Sequence, residues 1–161
     1  MQVEHINVFI EAVCGLFANT LGGEAKRSGD IGLTKSTGNA RDLSAFIGLS
    51  GQAPGAVALS FPAKTALSMA SRLRRTEIRV IDETVTDVVA ELVKIVAGEA
   101  KAALGKRGVA IDLSLPTVVR GSNHSVEYPS NTVWLDVPFT SDLGHFSLRV
   151  TFDPTAKETH E

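Results

Sequence analysis

Apolar residues recur at three- and four-residue steps from residue 7 to residue 21, at Phe9, Ile10, Val13, Leu16, Phe17 and Leu21. That is the period of one helical face. Asn7 suits the cap of this helix, and Gly22-Gly23 suits its end. Strand-like runs follow from Lys26 to Lys35 and from Asp42 to Ser50, separated by Ser36-Thr37-Gly38-Asn39. A third, Ala56 to Phe61, comes after Ala53-Pro54-Gly55, and the three are predicted to form an antiparallel meander. Pro62 fits the first turn of a helix reaching about Arg75, with Ala66, Leu67, Ala70 and Leu73 along one side.

The longest helical pattern spans residues 82 to 106, opened by Asp82 and closed by Gly105 and Gly108. Lys106 and Arg107 complement its negative end. Beyond it, Ala110–Leu115, Val133–Val137 and His145–Phe152 are predicted strands, punctuated by Pro116, Gly121-Ser122-Asn123 and Pro129-Ser130-Asn131. Residues 1–154 make one domain and residues 155–161 a polar tail. The order of helix then strands occurs twice, and the residues echo it. Phe9-Ile10-Glu11-Ala12-Val13, leading to Leu21-Gly22, resembles Val89-Ala90-Glu91-Leu92-Val93, leading to Leu104-Gly105.

Composition narrows the function classes. With 161 residues, 43% hydrophobic and 21% charged, the chain has a globular balance and can bury a core without disulfides. A net charge of −2 and a pI near 6.1 give no field that would draw it to nucleic acid or anionic lipid. No apolar run approaches a membrane span and no export signal opens the chain, so membrane insertion is not expected and a cytoplasmic location is. Cys14, the only cysteine, falls in an apolar pattern where it should be buried as a small hydrophobe. His5, His124, His145 and His160 lack metal-ligand spacing, so no metal site is expected. Arg72, Arg74 and Arg75 form a basic cluster whose expected role is to complement the end of a helix dipole.

At about 100° per residue, Asp87, Glu91, Lys94, Gly98 and Lys101 share a narrow strip of the long helix. Val85, Val88, Val89, Leu92, Val96, Ala100 and Ala103 point the other way, toward a sheet. The ordinary reading is a wetted face with a weak Glu91–Lys94 pair. Glu99 projects at the edge of the apolar arc, where a rim carboxylate paired with a strand Arg or Lys is expected. It stands two turns from Glu91, about 12 Å along the axis, too far for the two to act on one atom.

The run Asp87-Val-Val-Ala-Glu91-Leu-Val-Lys94-Ile-Val-Ala-Gly98, with Leu115-Pro116-Thr117 after it, resembles the signature helix and following strand of the CheC/CheX family, closest to its short single-site CheX members. Ile47-Gly48-Leu49-Ser50-Gly51, the block from Gly55 to Pro62, and Val137-Pro138-Phe139 with Leu143-Gly144 carry the likeness from about residue 5 to residue 153. The resemblance implies an α/β fold of the CheC-like kind: a largely antiparallel sheet with two long helices against it, in two related halves. It also implies a homodimer and a phosphatase acting on the phosphorylated response regulator CheY. No cofactor is implied in this chain, while the partner regulator is expected to carry Mg2+.

By the same resemblance Glu91 reaches into the regulator's acidic pocket and pairs with its lysine, with Asp87 and Gly98 in the contact surface. The family places an Asn, which orients the attacking water, where this chain has Lys94. An amide accepts from water through its carbonyl and donates through its NH2, whereas an ammonium only donates. Hydrolysis is therefore expected to be weakened or lost, and Asn7 and Asn19 on the first helix are the candidate substitutes. The alternative is a non-catalytic module that binds a response regulator or a flagellar-switch component.

Overall fold

The computed structural model describes residues 5–34, 42–121 and 133–152. Helix α1 (Ile6–Leu16) runs into a π-helical turn at Phe17–Leu21, and strands β1 (Ala25–Arg27), β2 (Gly32–Thr34), β3 (Asp42–Gly51) and β4 (Gly55–Pro62) follow. Helices α2 (Ala63–Arg74) and α3 (Glu83–Lys106) lead to β5 (Ile111–Leu113), β6 (Thr117–Arg120), β7 (Trp134–Ser141) and β8 (Gly144–Phe152). The tail at 155–161 and the turn signals at 36–39 and 129–131 lie outside the described residues.

The strands form one sheet in the order β1-β7-β8-β4-β3-β5, with β2 also on β7 and β6 also on β3, every pair antiparallel. This is the mixed α/β architecture expected. Each half supplies a helix, two short strands and a hairpin, and the short strands of each half pair with the hairpin of the other. The hairpins meet where β4 pairs β8, with Leu59 opposite Leu148. A two-fold relation across that antiparallel pair puts α1 and α3 antiparallel on one face of the sheet, where they pack together.

That face is the core. Leu43, Ala45, Ile47 and Leu49 of β3, Val57, Leu59 and Phe61 of β4, and Phe146, Leu148 and Val150 of β8 alternate inward to meet Val88, Val89, Leu92 and Val96 of α3. Phe146 stacks between Phe17 and Phe139. On the opposite face Phe46, Ala56, Ala58 and Trp134 form a second, smaller cluster.

Four sequence expectations are corrected. The meander does not form: residues 25–34 pair with β7 of the other half, not with β3. They are also two strands rather than one. Ser28 N donates to Pro138 O at 3.0 Å, and proline has no N–H to return, so the ladder breaks opposite Pro138. Asn7 is not the cap, because the helix begins one residue earlier, at the buried Ile6, and His5 occupies the cap with no capping bond from its side chain. Strand β6 (Thr117–Arg120) lies past Pro116, beyond the Ala110–Leu115 strand expected from the local pattern. It resumes pairing with β3 after a one-residue bulge, bridged by Gly48 N donating to Ser114 Oγ at 2.8 Å.

Cys14 is the fourth. It is exposed on α1 rather than buried, with its Sγ donating weakly to Ala25 O. Partial burial, then the charges of Glu11 and Glu24, push the thiol above its usual pKa, so thiolate is scarce at neutral pH.

Candidate functional site: the exposed ridge of α3

Helix α3 begins with the cap expected of it: the Asp82 carboxylate accepts from Thr84 N at 3.0 Å. Its entry is tied to the sheet by Arg120, which donates to Ile81 O at 3.3 Å. Val85, Val88, Val89, Leu92, Val93 and Val96 are fully buried, and this fixes the rotation of the helix about its axis. The opposite strip follows from that rotation, and Asp87, Glu91, Lys94, Gly98 and Lys101 are all exposed along it. The structure thus places on one exposed strip the residues that the helical period put there.

Their partners differ from those expected. Glu91 does not pair with Lys94. Its Oε1 accepts from Arg74 Nη2 at 3.5 Å, from the last turn of α2. Lys94 has no ion pair among the described residues, and Lys101 lies 3.8 Å from Asp112 of β5. Arg72 pairs with Asp142 at 2.7 Å and also donates to Gly22 O, tying α2 to the β7–β8 turn and the end of α1. The basic cluster therefore does more than complement a dipole. The sequence marked Arg74 only as part of the basic cluster and not as a partner of Glu91, because their meeting depends on how α2 docks on α3.

Gly98 is an exposed glycine in the body of a long helix, and a Cβ added there would meet nothing within 4 Å. The chain's own packing does not require it. A shallow depression of about 700 Å³ passes Lys94, Gly98 and Glu99. Gly98→Ala is expected to stabilise the fold by about 0.5–1 kcal/mol, since alanine loses less backbone freedom in a helix, and urea denaturation measures it.

Glu99 is exposed but has no strand Arg or Lys as an ion partner among the described residues, which corrects the rim pairing expected. It lies across the seam with α1, where a Cβ on Gly15 would stand 3.2 Å from Glu99 Oε1 and 3.7 Å from Asn19 Nδ2. Asn19 and Glu99 thus both approach Gly15, and Asn7 lies at the far end of α1. Glu11 and Cys14 are exposed on α1. Among the described residues no group of three or more His, Cys, Asp or Glu could hold a metal ion, and no helix is long and apolar enough to cross a membrane.

The profile of the family described as chemotaxis phosphatase CheX matches residues 43–140. A CheC-like superfamily protein from Shewanella sp. PV-4 is 30% identical with a TM-score of 0.82, over 95% of this chain and 99% of that one. CheX from Vibrio vulnificus is 26% identical with a TM-score of 0.81, over 94% and 100%. The CheX of a CheX–CheY–BeF3–Mg2+ complex from Borrelia burgdorferi shares the fold at 24% identity and a TM-score of 0.78, over 94% and 99%. No curated protein matches the sequence.

Proposed function

The chain belongs to the CheX family of chemotaxis phosphatases, and from that premise we propose that its α3 ridge docks on a phosphorylated CheY-type response regulator and acts weakly on the aspartyl phosphate. The observation that carries this reading is the ridge itself: Asp87, Glu91, Lys94 and Gly98 in one exposed line on a helix whose rotation is fixed by its buried side. The CheX–CheY complex from Borrelia burgdorferi supports the choice of partner.

In this reading Glu91 enters the regulator's cleft and pairs with its lysine, Asp87 supports the contact near the helix start, and Gly98 lets the partner's backbone come close. Hydrolysis needs a water held in line with the bond between phosphorus and the aspartyl oxygen. As the new P–O bond forms that bond breaks, releasing phosphate and restoring the carboxylate. The Lys94 ammonium can donate to a phosphoryl oxygen and offset its charge, but it has no lone pair to accept from the water. Mg2+, expected on the regulator's side, neutralises phosphoryl charge when bound. This chain supplies contact and charge but lacks the amide at the position that aims the water.

Lys94 also favours a second reading, a non-catalytic module of the same fold that holds the phosphorylated regulator. Decay of phosphorylated CheY from the same cell, followed with and without this protein, separates the two. Slight acceleration supports the enzyme, binding with unchanged decay supports the holding module, and no binding overturns both.

The family resemblance further implies a cytoplasmic homodimer. Leu33 on the β2 edge and Leu115 between β5 and β6 are 74% and 86% exposed, and they offer apolar surface at both sheet edges for a second copy to cover. Light scattering after size exclusion is expected to give twice the 17.0 kDa chain mass, and a monomer at micromolar concentration would overturn it.

A further inference from the structure

We infer that Arg74 is a positioning residue of the docking ridge, presetting the Glu91 carboxylate for a partner's cation. This rests on the docking reading above. Arg74 stands on the final turn of α2, and that turn is locked in place. Arg75 adopts left-handed backbone at φ 57°, Arg75 N donates to Arg72 O at 3.3 Å, and Thr76 N donates to Ser71 O at 3.2 Å. These are the two bonds of a Schellman ending, built here on an arginine where glycine is the usual choice. Ile78 N then donates to Ser71 Oγ at 2.9 Å, pinning the α2–α3 connection to the same turn.

From this fixed base Arg74 reaches Glu91 with one nitrogen on one oxygen at 3.5 Å, and both side chains are less than half exposed or close to it, at 39% and 48%. So exposed a pair adds little to the fold. Its geometry has another consequence. Arg74 engages Oε1 alone, so Oε2 can take a second cation while the tether restricts the carboxylate's rotamers before contact. Lys94 stands three positions on from Glu91 along the same exposed strip, so the ridge carries two cations for one carboxylate, which suits a partner surface that is anionic overall, as an acidic cleft carrying a phosphoryl group is. A competing role, in which Arg74 masks Glu91 from the partner, predicts the opposite sign.

The test is a double-mutant cycle read by titration against CheY loaded with beryllofluoride and Mg2+. Arg74→Gln is expected to weaken binding about three- to fivefold, Arg74→Lys to keep most of the affinity, and Arg74→Gln to add less than a twofold loss in a Glu91→Gln background, with melting unchanged throughout. Tighter binding by Arg74→Gln overturns the inference in favour of masking. An equal loss with and without Glu91 overturns it too, because Arg74 would then act independently of that carboxylate. Absence of binding by the unmodified protein sinks the docking reading itself, and Arg74's role with it.

Discussion

Lys94→Asn is expected to raise the rate at which this protein hydrolyses the aspartyl phosphate of CheY by about ten- to a hundredfold, the scale of effect that one correctly placed polar group has on a reacting centre. The position is exposed on a helix whose other side is fully buried, so the substitution leaves the fold intact beyond a few tenths of a kcal/mol of helix propensity. What changes is the chemistry one turn from Glu91: a donor-only group becomes one that can accept from a water and donate to it at once. Two further variants isolate the cause. Lys94→Ala removes the ammonium without supplying an amide, and it should leave hydrolysis at the unmodified level. Lys94→Gln supplies the amide one methylene too far out, so it should recover only part of the gain. Unchanged decay with Lys94→Asn, with binding to beryllofluoride-loaded CheY preserved, would count against the water-positioning argument and in favour of a holding module.

What made α3 readable from sequence is that its signals agree. The cap at Asp82, the buried valines and the terminal glycines all demand the same helix, and the ridge follows from their period alone. Cys14 shows where that logic thins. Helix α1 buries Val13 and Leu16 but leaves Glu11 and Cys14 outward, and residue type alone cannot place a cysteine on one side of an apolar pattern or the other. The crossing of β1 and β2 to the distant β7 is invisible for a different reason. Strand pairing is set by which edges remain after the hairpins form, and short strands with little alternation, such as Gly32–Thr34, carry no register of their own. Proline misled in both directions: Pro138 sits inside β7 and interrupts a neighbouring strand, while Pro116 precedes strand β6 rather than ending the sheet. Arg74 was legible as a charge but not as a neighbour of Glu91, seventeen positions away and on another helix.

Glu91→Ala is expected to weaken binding to phosphorylated CheY by about thirtyfold or more. A cation in a partner cleft that loses its carboxylate is left desolvated and unpaired, at a cost of about 2–5 kcal/mol. The fold should not register the change, because the only ion pair it breaks among the described residues is the half-exposed one with Arg74 at 3.5 Å, and alanine suits the helix at least as well. The molecule provides its own matched comparison in Glu11, the counterpart of Glu91 in the internal echo, likewise exposed but on α1. Glu11→Ala alters net charge by the same unit, so a general electrostatic contribution to encounter would affect both variants alike. Selective loss at Glu91, together with abolition of the activity gained in Lys94→Asn, ties binding and chemistry to one ridge. Equal, small losses at both positions would mean that α3 is simply wetted surface and that the regulator, if it binds, does so elsewhere.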